Sequence, residues 1–284
     1  MNHSLNTRTT VILLLPVCLL LVAFFAWPLA LVGWNSIFNT ATSALTLRAY
    51  QELSTSTLFY RVLGNTLQIS VVATAVSLVL GYVIALHLSR LDARRRTPYL
   101  VMVMLPFWTS ILVKSFAFTV VLGDRGLVNQ LLGWLTAGFS ETPVRLEMLF
   151  NRVGVIIGMT NYLLPFMVFP ILASLLSQNE SLQRVAEIMG AGPVRIFLRI
   201  TLPLSLPGVL AGVLMNMTLA MGMYITPALL GGRRDMMMAN LVDFYTRQTL
   251  DWNLASAIAI VLLALSGIFI AALLRVQRPQ AILR

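Results

Sequence analysis

Charge is scarce in this chain, and so are the residues that make an enzyme. Asp, Glu, Lys and Arg supply only 11% of its 284 residues, where a soluble domain carries about 25%. A water-facing globule is excluded. The one cysteine, Cys18, lies inside the first apolar run, which rules out a disulfide framework and a thiolate metal site. His3 and His87 stand alone, with no nucleophile or ligand cluster nearby, so neither a catalytic nor a metal role is expected. No GxxxxGK[ST] phosphate loop occurs, so the chain has no P-loop of its own for hydrolysing a nucleotide. No Asp or Glu falls inside any long apolar run. A secondary transporter would use intramembrane carboxylates and often inverted repeats, and neither is found.

What remains is apolar. Hydrophobic residues make up 58% of the chain and the mean hydropathy is +0.85, which marks an all-α integral membrane protein. The net charge of +10 is no nucleic-acid signature, because the basic residues flank apolar runs and form no single stripe. Six runs have close to the ~20 residues a helix needs to cross a bilayer. They are Val11–Gly33, Val62–Leu88, Tyr99–Leu122, Val153–Leu176, Leu206–Leu230 and Ala255–Val276. The first is too long for a signal-peptide core and has only Arg8 before it, so it reads as an uncleaved helix.

Basic residues orient the chain. With the N-terminus inside, the cytoplasmic side holds Arg8, Arg90, Arg94, Arg95, Arg96, Arg184, Arg195, Arg199, Arg275, Arg278 and Arg284 against Asp92, Glu180 and Glu187. The opposite side is nearly balanced, with eight basic and seven acidic residues. Both termini are expected in the cytoplasm. Residues 1–10 then form a cytoplasmic segment, 11–276 one transmembrane domain, and 277–284 a tail.

The loops are unequal. About ten residues join the second and third runs, which makes those two an antiparallel hairpin. Leu127, Leu131 and Leu135 recur at helical spacing beside Trp134 and suggest an amphipathic helix at the outer interface. Such a helix either caps the bundle or meets a partner.

The inner loop, 177–205, has the most distinctive build. Leu182, Val185, Ala186 and Met189 share one helical face, and Glu180, Gln183, Arg184 and Glu187 take the other. Gly190 fits a C-cap and Gly192 a turn, and Pro193 suits the first position of a second helix. That helix is expected over 194–201, ending before Leu202-Pro203, with Pro207 opening the fifth span. Two short helices set at an angle along the membrane surface are implied.

Inside the membrane, polar groups are few. Lys114 is the one charge well within a run, about 22 Å along the third helix at 1.5 Å per residue, a depth that suits snorkelling to the outer interface. The other reading places it in an outer vestibule with Phe107 and Ser110. Asn161, Tyr162, Asn216 and Tyr224 either line a path or bond between helices, and Trp108, Tyr162 and Tyr224 offer faces to a cation. Gly154-x-x-x-Gly158 and Gly208-x-x-x-Gly212 allow close helix approach.

Arg184-Val185-Ala186-Glu187-Ile188-Met189-Gly190, nine residues, then Ile200-Thr201-Leu202-Pro203 resembles the EAA loop of ABC importer permeases. Asn65-Thr66-Leu67, Leu105-Pro106-Phe107-Trp108-Thr109-Ser110, Gly126-Leu127-Val128-Asn129, Pro227-Ala228-Leu229-Leu230-Gly231-Gly232 and Met238-Ala239-Asn240-Leu241 look like the polyamine-type members. The resemblance runs from about Leu45 to Arg275. It implies a type I ABC importer permease fold with cytoplasmic coupling helices in a bacterial inner membrane. It also implies two cytoplasmic ATP-binding subunits, which hold ATP and Mg, a second permease subunit, and an extracytoplasmic solute-binding protein. No cofactor is expected in this subunit. Relatives that import opines, aminophosphonates or iron share much of the pattern, so those substrates stay open.

By the same resemblance, Arg184, Val185, Ala186, Glu187, Gly190, Ile200, Leu202 and Pro203 belong to the ATPase-coupling surface, and Gly231, Gly232, Arg233, Arg234 and Asp235 to the docking site of the binding protein. One departure matters: Arg184 stands where the family has an acid, with Glu187 about 60° round the helix.

Overall fold

The computed structural model describes residues 7–39, 44–136 and 145–277. Apolar composition makes the helices, and two of the prolines, Pro28 and Pro203, each follow a π-helical turn. α1 (Thr7–Leu21) and α2 (Trp27–Ile37) are joined by a π-helical turn, Val22–Ala26, into one apolar stretch, Leu14–Ile37. The Trp27 N–H reaches back five residues to Val22 O, a wider turn that makes room for the ring of Pro28. A two-residue ladder follows, β1 (Phe38–Asn39) antiparallel to β2 (Ala44–Leu45), with Phe38 opposite Leu45.

α3 (Arg48–Thr55) precedes α4 (Thr57–Ser89), which residues 90–92 connect to α5 (Ala93–Trp108) as the short hairpin expected. α6 (Ile111–Leu122), α7 (Leu127–Thr136), α8 (Arg152–Leu176), α9 (Glu180–Ile188) and α10 (Pro193–Ile196) come next. A second π-helical turn, Phe197–Thr201, leads into α11 (Leu202–Met221), followed by α12 (Ile225–Leu230), α13 (Met238–Arg247) and α14 (Trp252–Gln277). Five stretches are long and apolar enough to span a membrane, and the bent pair Ala93–Trp108 with Ile111–Thr136 makes a sixth.

Three expectations need correction. The third span is broken: Thr109 and Ser110 adopt extended ψ angles of 136° and 130°, and the chain bends by 95°. The fifth does not run to Leu230. Its helix ends at Met221 with Gly222 as the cap, and α12 starts afresh at Ile225, with Pro227 in its first turn, where the missing N–H is harmless. The second helix of the inner loop does not stop before Leu202-Pro203. Thr201 and Leu202 are both helical, the Leu202 N–H bonds Phe197 O, and this wide turn carries α10 straight into α11 despite Pro203.

The residues fall into two compact units, Met1–Phe59 with Leu241–Val261, and Tyr60–Asn240 with Leu262–Arg284. In the first, the Tyr50 hydroxyl donates to Ser36 Oγ at 2.9 Å, and Asn253 Nδ2 donates to Asn35 O at 2.7 Å. In the second, α8 is the hub. Val155, Met159, Leu163, Met167, Val168 and Ile171 on α8 are fully buried. One end of that row packs with Ile69, Leu230 and Met237, and the other with Ala85 and Leu88.

α8 packs extensively on α11. Lipid supplies no hydrophobic drive between helices, so close packing must do this work. Gly208 and Gly212 provide it: a Cβ on Gly208 would stand 2.5 Å from Pro170 O, and one on Gly212 would stand 2.8 Å from Met167 Sδ. Asn216, one turn further, is fully buried and donates to Leu163 O at 3.2 Å. Of the two readings of Asn216, the helix-to-helix bond is the one observed.

Gly208→Val places its side chain against backbone that cannot yield. It should lower the stability of the purified protein by about 1–3 kcal/mol, read as a lower unfolding midpoint in detergent. Gly267→Ala, where the added carbon meets nothing within 4 Å, should not lower it.

Candidate functional site

At one end of the second unit, α9 stands clear of its own bundle on the loop from α8 to α10. Asn179 caps its start, its side chain accepting from the Ser181 N–H at 3.0 Å. Gly190, at φ +81°, ends it. The Gly190 N–H bonds Glu187 O and the Ala191 N–H bonds Ala186 O, both at 2.9 Å, the paired closure that requires a left-handed residue and favours glycine.

The face α9 turns inward is narrow. Gln183 and Ala186 are half-buried, and Gln183 Nε2 reaches Thr201 Oγ1 at 3.5 Å. Leu182, Val185, Ile188 and Met189 point away, with Ile188 and Met189 86% and 82% exposed. Val194 and Leu198 extend this apolar surface across the groove that Gly190, Gly192 and Pro193 line. Arg184 and Glu187 flank the stripe and line a polar cavity of about 410 Å³ with Arg90, Ser89, Gln178 and Thr201. The exposed stripe is therefore apolar, and the two charges sit at its edge. Of the remaining residues read from the loop motif, Ile200 and Leu202 are half-buried and Pro203 is exposed.

The break at Thr109–Ser110 organises a second place. A helix end leaves its last carbonyls without intrahelical donors, and Pro106 O belongs to that set in α5. Lys114 Nζ folds back to donate to Pro106 O and lies 5.4 Å from the centroid of the Tyr162 ring. Lys114 and Asn161 share a cavity of about 330 Å³ with Met102, Leu105, Thr109 and Phe118. Tyr162 and Phe107 both pack on Phe166, at 5.6 and 5.7 Å, and Trp108 is exposed beside the break. Lipid tolerates neither non-helical backbone nor a charge, so an exposed break with a lysine faces water or protein. Tyr224 lies outside this group, in the break after α11, where its carbonyl accepts from Asn240 Nδ2 at 3.0 Å.

The third place joins α4, α8 and the segment between α12 and α13. Arg152 donates from Nη2 to Asn65 Oδ1 and from Nη1 to Gln68 Oε1, both at 2.9 Å, and from Nε to Asp235 Oδ1 at 3.3 Å. Asn65 Nδ2 donates to Arg234 O at 2.6 Å, and the Gly232 N–H donates to the second Asp235 oxygen at 3.3 Å. Thr66 Oγ1 accepts the Met238 N–H at 2.8 Å. Asp235 is buried, while Arg233 and Arg234 are exposed. The aspartate thus holds the segment's shape, and the arginines present it. The roles of Arg152 and Gln68 are new here. Their sequence signal is an amide pair three residues apart on an apolar helix, Asn65 and Gln68.

Known proteins share this architecture. A family described as binding-protein-dependent transport system inner membrane component matches residues 77–281. The spermidine/putrescine transport system permease protein PotB of Escherichia coli strain K12 is 34% identical over 221 residues, which are 78% of this chain and 79% of that protein. The protein of the same name from Haemophilus influenzae is 30% identical over 247 residues, covering 87% of this chain and 79% of its own length. A chain of a bacterial alginate ABC transporter, solved with an alginate pentasaccharide-bound periplasmic protein, superposes with a TM-score of 0.77 at 19% identity. It covers 94% of this chain and 93% of its own. At that identity the likeness is one of fold, the type I permease fold.

Asp235→Ala strips Arg152 of its carboxylate and the Gly232 N–H of its acceptor. It should cost about 1–3 kcal/mol in detergent unfolding. Asp235→Asn, whose single amide oxygen keeps one of the two bonds, should cost less; equal losses would count against the network.

Proposed function

Because this chain belongs to the binding-protein-dependent transport system inner membrane component family, we propose that it is the permease subunit of an ATP-driven importer of polyamines. It is a multi-pass inner-membrane protein, and its relatives are permease subunits. The substrate class rests on one observation, the 34% identity to a spermidine/putrescine permease over 78% of the chain.

The drive comes from outside the chain. α9 carries Val185, Ile188 and Met189 on a face its own bundle leaves open, and water would not leave such a stripe uncovered without reason. A cytoplasmic ATPase covers it, with ATP and Mg bound there. Arg184 and Glu187 at the rim set register, and packing carries the contact. Both termini then lie in the cytoplasm, as does the α9 loop. At the other side Arg233 and Arg234 meet a solute-binding protein on the segment that Asp235 holds in place.

Two such permeases, this one and a paralogue, enclose the path. The break at Thr109–Ser110 lines it, with Trp108, Lys114, Asn161 and Tyr162 around it. No carboxylate lies within the spans, so the path is a low-affinity conduit for a polycation and selection belongs to the binding protein.

Reconstituted with its ATPase, sister subunit and binding protein, the wild type should accumulate labelled spermidine on ATP addition. Ile188→Asp puts a charge into the apolar contact and should cut both ATPase co-purification and uptake about tenfold or more, with membrane insertion intact. Unchanged uptake in that variant would overturn the docking role. ATP-driven accumulation of an anionic solute in place of spermidine would overturn the substrate class.

A further inference from the structure

Lys114 sits where electrostatics disfavours it. It is the fourth residue of α6, inside the first turn, where the positive end of the helix dipole repels a cation. It also lies in a membrane-spanning stretch, where a charge is costly. No Asp or Glu stands among the described residues lining the cavity it shares, which include Met102, Leu105, Thr109, Phe118 and Asn161. Two neutral groups hold the ammonium instead. One is Pro106 O, a carbonyl at the C-terminal, negative end of α5 that the break leaves without a helical donor. The other is the face of Tyr162, within the ~6 Å reach of a cation–π contact. A carbonyl at a helix end and an aromatic face are general acceptors for a primary ammonium, and neither is specific to a lysine.

We propose that Pro106 O and the Tyr162 ring form an alkylammonium subsite in the permeation path, and that Lys114 is its resident occupant. The lysine is a tethered copy of the group to be passed. Holding it by neutral partners makes exchange easy, because an incoming primary ammonium takes over the same carbonyl and the same ring face and no salt bridge has to break. With Lys114 seated, the subsite is filled and its charge repels stray cations. An incoming alkylammonium displaces it into the exposed opening beside Thr109 and Trp108. The cavity of about 330 Å³ leaves room for an alkyl chain next to the ammonium. The physiological ligand rests on the polyamine reading above; the subsite itself does not.

The probe is n-butylammonium, the analogue of the lysine side chain, applied to the complete importer without binding protein and followed by equilibrium dialysis. Lys114→Ala vacates the subsite and should bind the probe about tenfold or more tighter than wild type. Adding Tyr162→Phe should preserve that gain, since the ring face remains, and adding Tyr162→Leu should abolish it. Lys114→Met, which fills the space with an apolar chain, should show no gain. If Lys114→Ala does not assemble, Lys114→Ser gives the same reading. Equal affinity in wild type and Lys114→Ala would overturn the proposal, as would a gain that survives Tyr162→Leu. So would acetate binding to wild type that Lys114→Ala removes, because that makes the lysine an anion ligand. Failure of the wild-type importer to move spermidine, with the n-butylammonium pattern intact, would remove the substrate reading and leave the subsite standing.

Discussion

The contact between α8 and α11 is what the rest of the second unit depends on. Gly208 and Gly212 bring the two backbones so close that any side chain there would meet Pro170 O or Met167 Sδ. Asn216 adds a bond to Leu163 O across the same seam. α9 lies in the connection between these two helices, joined to α10 by the capped turn at 189–192. Phe197–Thr201 is helical, and it runs from α10 into α11 without a stop. A load taken up at the turn 189–192 therefore reaches the α8–α11 contact through a continuous helix. A loose linker at the same place would dissipate it.

The chain's functional places coincide with its departures from regular helix. A broken helix leaves carbonyls and N–H groups that lipid cannot satisfy, so each break comes with a polar answer. Lys114 answers at Pro106 O and the Asn151 side chain at the first N–H groups of α8, and Asn240 adds a second donor to Tyr224 O beside the Ala228 N–H. The π-helical turns before Pro28 and Pro203 are the apolar version of the same solution, widening the helix so that a proline fits. Prolines and polar residues that read as scattered in a list are local repairs in three dimensions.

Much of this was legible in the linear sequence. Length and hydropathy mark the runs, and the glycine–proline punctuation of 190–193 predicts the capped helix that φ +81° at Gly190 realises. The Gly208-x-x-x-Gly212 spacing anticipated the seam. The break at Thr109–Ser110 was not legible, because two small hydroxyl residues in an apolar run are equally at home in an unbroken helix, where they bond the preceding turn. The direction of α9 was hidden for a related reason. Periodicity defines an apolar face and says nothing about whether the chain's own bundle or a partner covers it. The Arg152–Asp235 pair joins residues 83 apart in sequence, and no local pattern encodes such a contact.

The proposed coupling requires a nucleotide-hydrolysing partner to bury the apolar stripe of α9. The chain's only cysteine is Cys18, so a Cys18→Ser background with Ile188→Cys carries a single reporter thiol at the most exposed point of that stripe. Its rate of modification by a membrane-impermeant maleimide, measured on inside-out vesicles with and without the ATPase subunit, is the direct test. The rate should fall sharply when the ATPase is assembled and recover when it is stripped away. An unchanged rate in the assembled importer would mean that the stripe faces water in the working protein, and the coupling account would be wrong.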